Sequence, residues 1–388
     1  MREKTVVEWT DHPIDTLKLL QIVHRHGDRN PTLDLPNDPF IDLKKYWPEG
    51  EMEMTNNGKY RMYRIGQFIR QSYAAYLGSQ YNHREVYARS SGANRCLESI
   101  QMLLAGVYPL ITTANWQSNL TNSAQLGSDL QPFTVYSYPD KFKNNDKLLR
   151  INAYCPKAME AIEKYFNSEI ARNISYKETA FLEKLGKIVG RKLINLEVIE
   201  NLFDVLTIEY SKKYYWSNHS IWPSSDDKSI IDRLEVIVNK YFKTRYSDPV
   251  LKKTNAGPLI KELVTNIKER INGTTIDKPY DYKLYLYSTH DVKLCPLMIT
   301  LDIWNGIIIP FGSSLIVELH QQLGAINGKG YFVRLYYYNE TLDDTKRPYL
   351  LKLPNCISVD CPIEQFYTLT NTFIPSDWNR ECGINVKS

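Results

Sequence analysis

Residues 23–31 read Val-His-Arg-His-Gly-Asp-Arg-Asn-Pro, directly after the apolar run Leu17 to Val23. Arg25 and Arg29 flank His26. Two guanidiniums offer planar forks of N–H donors that match phosphate oxygens bidentately and stay charged at any working pH. Their charge also disfavours a proton on His26, leaving a neutral ring nitrogen able to attack phosphorus. Gly27 allows a sharp turn, and its carbonyl can orient the other ring nitrogen. His24 is read as structural.

Two more polar clusters close apolar runs. Glu85 to Arg89 enters Ser90-Ser91-Gly92 and then a helix carrying Leu97, Ile100, Leu103 and Leu104. Leu284 to Ser288 ends at Thr289-His290-Asp291 and a helix through Leu294, Leu297 and Met298. Alone, Arg89 would be a strand-end salt bridge and His290 a satisfied core histidine. Their place after strands changes that reading, because ligands of open α/β sheets bind at the carboxyl ends of strands. Asp291 opens a helix, where a carboxylate is favourable whatever else it does.

The elements that must position these groups follow from periodicity. Leu17 to Val23 suits a strand buried on both faces. Thr55 can cap a helix in which Met62, Ile65, Ile69, Tyr73 and Tyr76 form one buried stripe. Ser314 to His320 and Tyr331 to Asn339, around the Gly-rich segment Gly324 to Gly330, read as a hairpin. Between Phe133 and Pro249 the patterns are long and helical, as in Cys155 to Tyr165 and Ile231 to Phe242. The aromatic stretch Tyr210 to Pro223 is read as a knot anchoring that insertion. The expected fold is α/β: a Rossmann-like mixed, mainly parallel sheet flanked by helices, with an inserted helical cap. The phosphate-handling core would span 17–132 and 250–388, and the cap 133–249.

These motifs resemble the histidine phosphatase superfamily, and within it the acid phosphatase branch. The resemblance rests on Arg25-His26-Gly27-x-Arg29-x-Pro31, on Met54 to Arg70, on YARSSGANR at Tyr87 to Arg95, on Ser288 to Asp291 and on the Cys-rich tail. It implies that Arg25, Arg29, Arg89 and His290 bind the phosphoryl group, that His26 is the nucleophile, and that Asp291 protonates the leaving group. It also implies the bridges Cys356–Cys361 and Cys155–Cys382. The remaining pair, Cys96 and Cys295, is expected to form a third bridge between the helices after Arg89 and Asp291, with two free buried thiols as the other reading. Asn94, Val292 and Lys293 depart from the family's usual Asp and small hydroxyl residues and bear on substrate range and pH optimum.

Composition narrows the rest. Of 388 residues, 43% are hydrophobic and 24% charged, and the net charge of +4 is spread without a basic block, which argues against nucleic acid. The longest apolar stretches, such as Leu301 to Phe311, fall short of the roughly 20 residues a membrane span needs. Met1 to Thr16 has no apolar signal-like core. The six cysteines and five Asn-x-Ser/Thr sites, at Asn119, Asn173, Asn218, Asn272 and Asn339, suit a secreted or lysosomal protein whose signal has been removed. No His and Cys spacing suits zinc, and no Gly-rich phosphate loop is present, so neither metal nor cofactor is expected. Expected partners are small phosphomonoesters or phosphorylated proteins, and a homodimer is one expected assembly. Other readings are an inositol-phosphate or lysophosphatidate phosphatase, which call for a more basic or more apolar insertion, an inactive binding protein on the same scaffold, and a phosphoglycerate mutase-like transferase.

Overall fold

The computed structural model describes residues 14–110, 131–139, 145–150, 152–193, 195–218, 226–275, 278–325, 329–343 and 346–384. Its strands are β1 (Leu17–Arg25), β2 (Val86–Ser90), β3 (Tyr136–Ser137), β4 (Leu284–Thr289), β5 (Ser314–Gln321), β6 (Tyr331–Tyr338), β7 (Tyr349–Leu351) and β8 (Cys361–Pro362). They form one mixed sheet in the order β3-β2-β4-β1-β5-β6-β7, with β8 beside β6. The first four run parallel; β5, β6 and β7 are antiparallel additions. The register aligns the strand ends: Arg25 lies opposite Thr289, and Ser90 opposite Ser288. The residues after β1, β2 and β4 therefore emerge at one edge, as the sequence requires.

Alternation along the strands assigns the two faces. Leu20, Ile22, Leu284, Leu286 and Ile316 pack with one core cluster, filled by Met62, Ile65 and Ile69 of α2 (Asn56–Ser72) and by Ile100, Leu103 and Leu104 of α3 (Asn94–Val107). Leu19, Val23, Tyr285, Tyr287 and Val317 face a larger cluster. Most of its helical members come from α7 (Leu196–Ser211), α8 (Asp227–Arg245), α10 (Gly257–Asn272) and α11 (Asp291–Thr300). Shorter helices complete the chain: α1 (Leu43–Tyr46), α4 (Pro156–Phe166), α5 (Glu169–Tyr176), α6 (Thr179–Val189), α9 (Pro249–Leu251), α12 (Ile363–Asn371) and α13 (Trp378–Glu381). The helices α4 to α8 fall within 133–249, the stretch expected to form a cap. β3, inside the stretch read as insertion, belongs to the sheet as its edge beside β2.

The expected local devices are present. Thr55 caps α2, its side chain accepting from the Gly58 N–H at 3.2 Å. In the aromatic stretch, Tyr214 packs on Phe40, Tyr46 and Trp47, while buried Trp216 donates to Glu209 at 2.6 Å. The stretch is a structural knot as far as Asn218; residues 219–225 lie outside the described part. Among the described residues, no helix is long and apolar enough to cross a membrane. Asn173, Asn218 and Asn272 are exposed and Asn339 is half-buried; Asn119 lies outside the described residues.

Two of the three expected bridges are formed, Cys155–Cys382 and Cys356–Cys361. The third is not: Cys96 and Cys295 are free and buried. Cys96 sits on α3 and Cys295 on α11, helices that pack on opposite faces of the sheet, so the sheet itself separates the thiols. Peptide mapping without reduction should recover the two observed bridges, with Cys96 and Cys295 alkylated only after unfolding. Replacing Cys155 and Cys382 together by Ala should cost about 2–5 kcal/mol of stability, read from denaturant titration.

His24 is completely buried in β1, with Nδ1 at 3.1 Å from the Arg25 carbonyl. Burial pulls its pKa down from 6.5 to about 4. The folded protein thus refuses a proton that the unfolded chain accepts, so stability should fall as pH drops from about 6.5 towards 4. The loss from this residue between pH 7 and pH 5 should be about 2 kcal/mol. His24→Asn, which keeps a donor for the carbonyl but cannot titrate, should flatten that part of the pH–stability curve. An unchanged slope in the variant would refute the assignment.

Candidate active site

The loop after β1 is clamped by the start of α2. Asp28 accepts a forked pair from Arg61 at 2.6 and 3.0 Å, its carbonyl accepts from the Thr55 N–H at 2.9 Å, and Arg29 bridges to Met54. Gly27 is required by proximity: a Cβ there would stand 2.6 Å from the Gly58 carbonyl oxygen. The expected sharp turn matters less than this close approach of two backbones.

His26 is buried, and its Nδ1 lies 2.9 Å from the Gly27 carbonyl. A carbonyl only accepts, so Nδ1 carries the hydrogen and Nε2 keeps its lone pair. Burial first, then the charges of Arg95, Arg25, His290 and Arg29, hold the His26 pKa well below its ordinary value. The ring is therefore neutral, with its free nitrogen in a cavity of about 750 Å³ shared with Arg25, Arg29, Arg95, His290 and Asp291.

The guanidiniums are held by carboxylates and by one ring. Arg25 donates to the Ile309 carbonyl at 2.5 Å, pairs with Asp291 at 2.8 Å, and lies 4.0 Å over the centre of Phe311. Arg29 pairs with Asp204 of the cap at 2.9 Å. Asp291, the first residue of α11, also accepts from the Val292 N–H at 2.8 Å. His290 stands 5.5 Å from His26 between ring centres, with Nε2 at 3.0 Å from the Ser91 hydroxyl. Its pKa, too, is held well below the ordinary value, by burial and then by Arg95, Arg150, Arg29 and Arg25.

Five of the six residues singled out from sequence line this cavity: Arg25, His26, Arg29, His290 and Asp291. Arg89 is not among its lining. It is buried behind, its guanidinium 3.2 Å from Asp146 and stacked near Tyr138. Arg95, six residues on, occupies the cavity instead. It stands in the first turn of the helix that follows a strand and a polar turn, which was a legible signal. Asp146 and Asp204 had none, since each lies in the insertion with no motif around it. Of the three departures from the family pattern, Asn94 is exposed and donates to Glu53 at 3.0 Å. Val292 is half-buried beside the cavity. Lys293 is buried, donates to the carbonyls of Lys147 and Asn255, and has its pKa pulled down to about 7 by burial.

Comparison with known proteins identifies the family. Human prostatic acid phosphatase is 30% identical over 381 residues, covering 96% of this chain and 90% of its own. Human lysosomal acid phosphatase is 28% identical over 374 residues, covering 95% and 81%. Among solved structures, the Hafnia alvei phytase in complex with tartrate superposes with a TM-score of 0.69 at 15% identity, covering 95% of this chain and 98% of its own. The Citrobacter braakii phytase gives 0.68 at 16%, covering 95% and 100%. Residues 16–338 match the family described as the histidine phosphatase superfamily (branch 2), and the chain belongs to that family.

Proposed function

We propose that the chain is a secreted or lysosomal acid phosphatase that hydrolyses small phosphate monoesters through a phosphohistidine on His26. The observation that carries this reading is the neutral, buried imidazole whose free Nε2 faces a cavity edged by arginines. The phosphoryl group would lie against Arg25 and Arg29, displacing the carboxylates that hold them. Nε2 of His26 attacks phosphorus, the P–O bond to the leaving group breaks, and Asp291 gives its proton to the departing oxygen. Water then attacks the phosphorus, giving a proton to the Asp291 carboxylate, and the P–N bond to His26 breaks, releasing inorganic phosphate and restoring both the imidazole and the acid. The arginines supply the positive charge that would otherwise come from a metal ion.

The roof of the cavity bears on substrate class. The cap contributes Glu197, Asp204, Asp232 and Glu235 against Lys212, Lys228 and Arg245, while burial pushes the Glu200 carboxyl beside them up to about 8. A wall with more carboxylates than cations suits an ester with one phosphate and repels a polyphosphorylated inositol. The exposed Asn173 and Asn272 and the two bridges support an oxidising, secretory route.

Measurements on variants, substrates and chelator test the proposal. His26→Ala should abolish turnover of p-nitrophenyl phosphate at acidic pH with the fold intact, and acid-quench trapping of phosphate on Ser or Asp would refute the mechanism. Activity should survive excess EDTA. Asp291→Asn cannot supply a proton, so it should forfeit a general-acid contribution of about 10²–10⁴ in kcat/KM on an alkyl phosphate and far less on p-nitrophenyl phosphate, whose leaving group departs unaided. Equal losses on both would show that Asp291 only positions phosphate. Phytate should be a poor substrate beside simple monoesters.

A further inference from the structure

Arg25 and Arg29 each meet one carboxylate in the cavity, and the two carboxylates differ in origin. Asp291, at the start of α11, pairs with Arg25 at 2.8 Å and is the proton donor of the proposed reaction. Asp204, in the middle of α7, pairs with Nη2 of Arg29 at 2.9 Å and has no task in that reaction. The pair is not a loose surface contact: Arg29 is buried, and Asp204 is 21% exposed on the cavity wall. A phosphoryl group that takes the place of Asp204 on Arg29 leaves this carboxylate beside it, because the helix fixes where the side chain starts. Two anions in contact in a site shielded from water repel strongly unless a proton lies between them. A phosphate monoester can bring that proton, since its second ionisation falls at about 6, whereas sulfate has none to bring.

We propose that Asp204 selects the singly protonated phosphoryl group, accepting the hydrogen bond of its P–OH while Arg25 and Arg29 hold the other oxygens, and turns away oxyanions of the same shape that carry no proton. The inference deepens the phosphatase reading and rests on it for the identity of the anion. The proton held against Asp204 is distinct from the one Asp291 gives to the leaving oxygen: it stays with the phosphoryl group and departs with inorganic phosphate. Selection comes from an unfavourable contact with the wrong anion as much as from a favourable one with the right anion. Glu200, one turn earlier on α7, adds no charge in acid, because burial and then Asp291 push its carboxyl up to about 8. The charged and titratable groups lining the same space include Arg25, His26, Asp28 and Arg29 from the end of β1 and its loop, Arg61 from α2, Arg95 from α3, Arg245 from α8, and His290 and Asp291 where α11 begins. Phosphate and sulfate meet all of these alike, so the difference between the two anions reports the proton on the ligand.

The test uses the purified full chain with inorganic phosphate and inorganic sulfate as probes. Binding is read from calorimetry and from the anion-dependent rise in Tm, both independent of turnover. The wild-type protein should bind phosphate about 10–100-fold more tightly than sulfate at about pH 5, as expected for one hydrogen bond to a charged group, and the preference should shrink towards about pH 8, where phosphate has lost that proton. Asp204→Asn, which keeps the shape and removes the charge, should raise sulfate affinity and bring the two anions within about threefold of each other. Asp204→Glu, which restores the carboxylate, should keep the preference. Should the Asn variant fail to unfold cooperatively, Asp204→Ser takes its place. An unchanged phosphate-to-sulfate ratio in a folded Asp204→Asn or Asp204→Ser variant would overturn the inference, and equal weakening of both anions would assign Asp204 only to holding Arg29 in place. A wild-type protein that selects phosphate through Asp204 yet hydrolyses no monoester would uphold the inference while refuting the proposed function. An active phosphatase that binds sulfate as tightly as phosphate at about pH 5 would do the reverse.

Discussion

Like charges crowded around a buried imidazole are the constraint on which the molecule turns. Arg25, Arg29 and Arg95 converge on one cavity with Arg89 close behind, and an empty cluster of this kind would repel itself. The fold answers with carboxylates drawn from separate places: Asp291 from the start of α11, Asp204 from the cap helix α7, and Asp146 from the loop ahead of the cap. Each is near enough to hold a guanidinium in place, and Asp291 and Asp204 line the cavity in which the anion would compete for the same arginines. Helix α7 is therefore part of the cavity's electrostatics as well as of its wall. That the Arg29 partner comes from the cap ties the position of α7 to the loop after β1.

The same cap buries acids that prefer to be neutral. Burial and the nearby Asp291 push Glu200 up to about 8, and burial with Asp38 pushes Glu209 up. A carboxyl whose folded pKa is raised contributes stability that is fully present below its unfolded value near 4.5 and is lost as pH rises through the folded one. For Glu200 that window runs from about 4.5 to 8, so acid conditions suit this part of the cap. The buried histidines act in the opposite direction. Acid tolerance in this fold is then a balance between carboxyls under the cap and imidazoles at the sheet.

Much of the phosphate-handling side was legible because strands and their polar ends are local features. β1, β2 and β4 end within a residue or two of where apolar runs stop, and the hairpin β5–β6 follows its turn signal. The short edge strands β3, β7 and β8 were not legible, since two or three residues carry no period and pair only because the sheet is already there. The free thiols were missed for a related reason: which face a helix packs on is a property of the tertiary fold. The exchange of Arg89 for Arg95 in the cavity is similar, because Asp146, which draws Arg89 back, lies 57 residues away along the chain. The loop holding Asp146 is fixed in turn by Lys293 and by Thr289, whose hydroxyl donates to the Leu149 carbonyl at 2.6 Å.

The bridge between Cys155 and Cys382 spans 227 positions of sequence, and so turns most of the chain into a covalent ring. His26 lies on the arm that leads into the ring, and Asp291 on the ring itself. A single peptide cut anywhere from the first cap helix to the last turn before Cys382 opens the ring without separating its parts. The segment with His26 and the segment with Asp291 would stay joined as a two-chain molecule held by one sulfur–sulfur bond and by the parallel pairing of β1 with β4. For a protein whose cap presents long exposed helices, such closure makes survival of a nick a matter of redox conditions as much as of sequence.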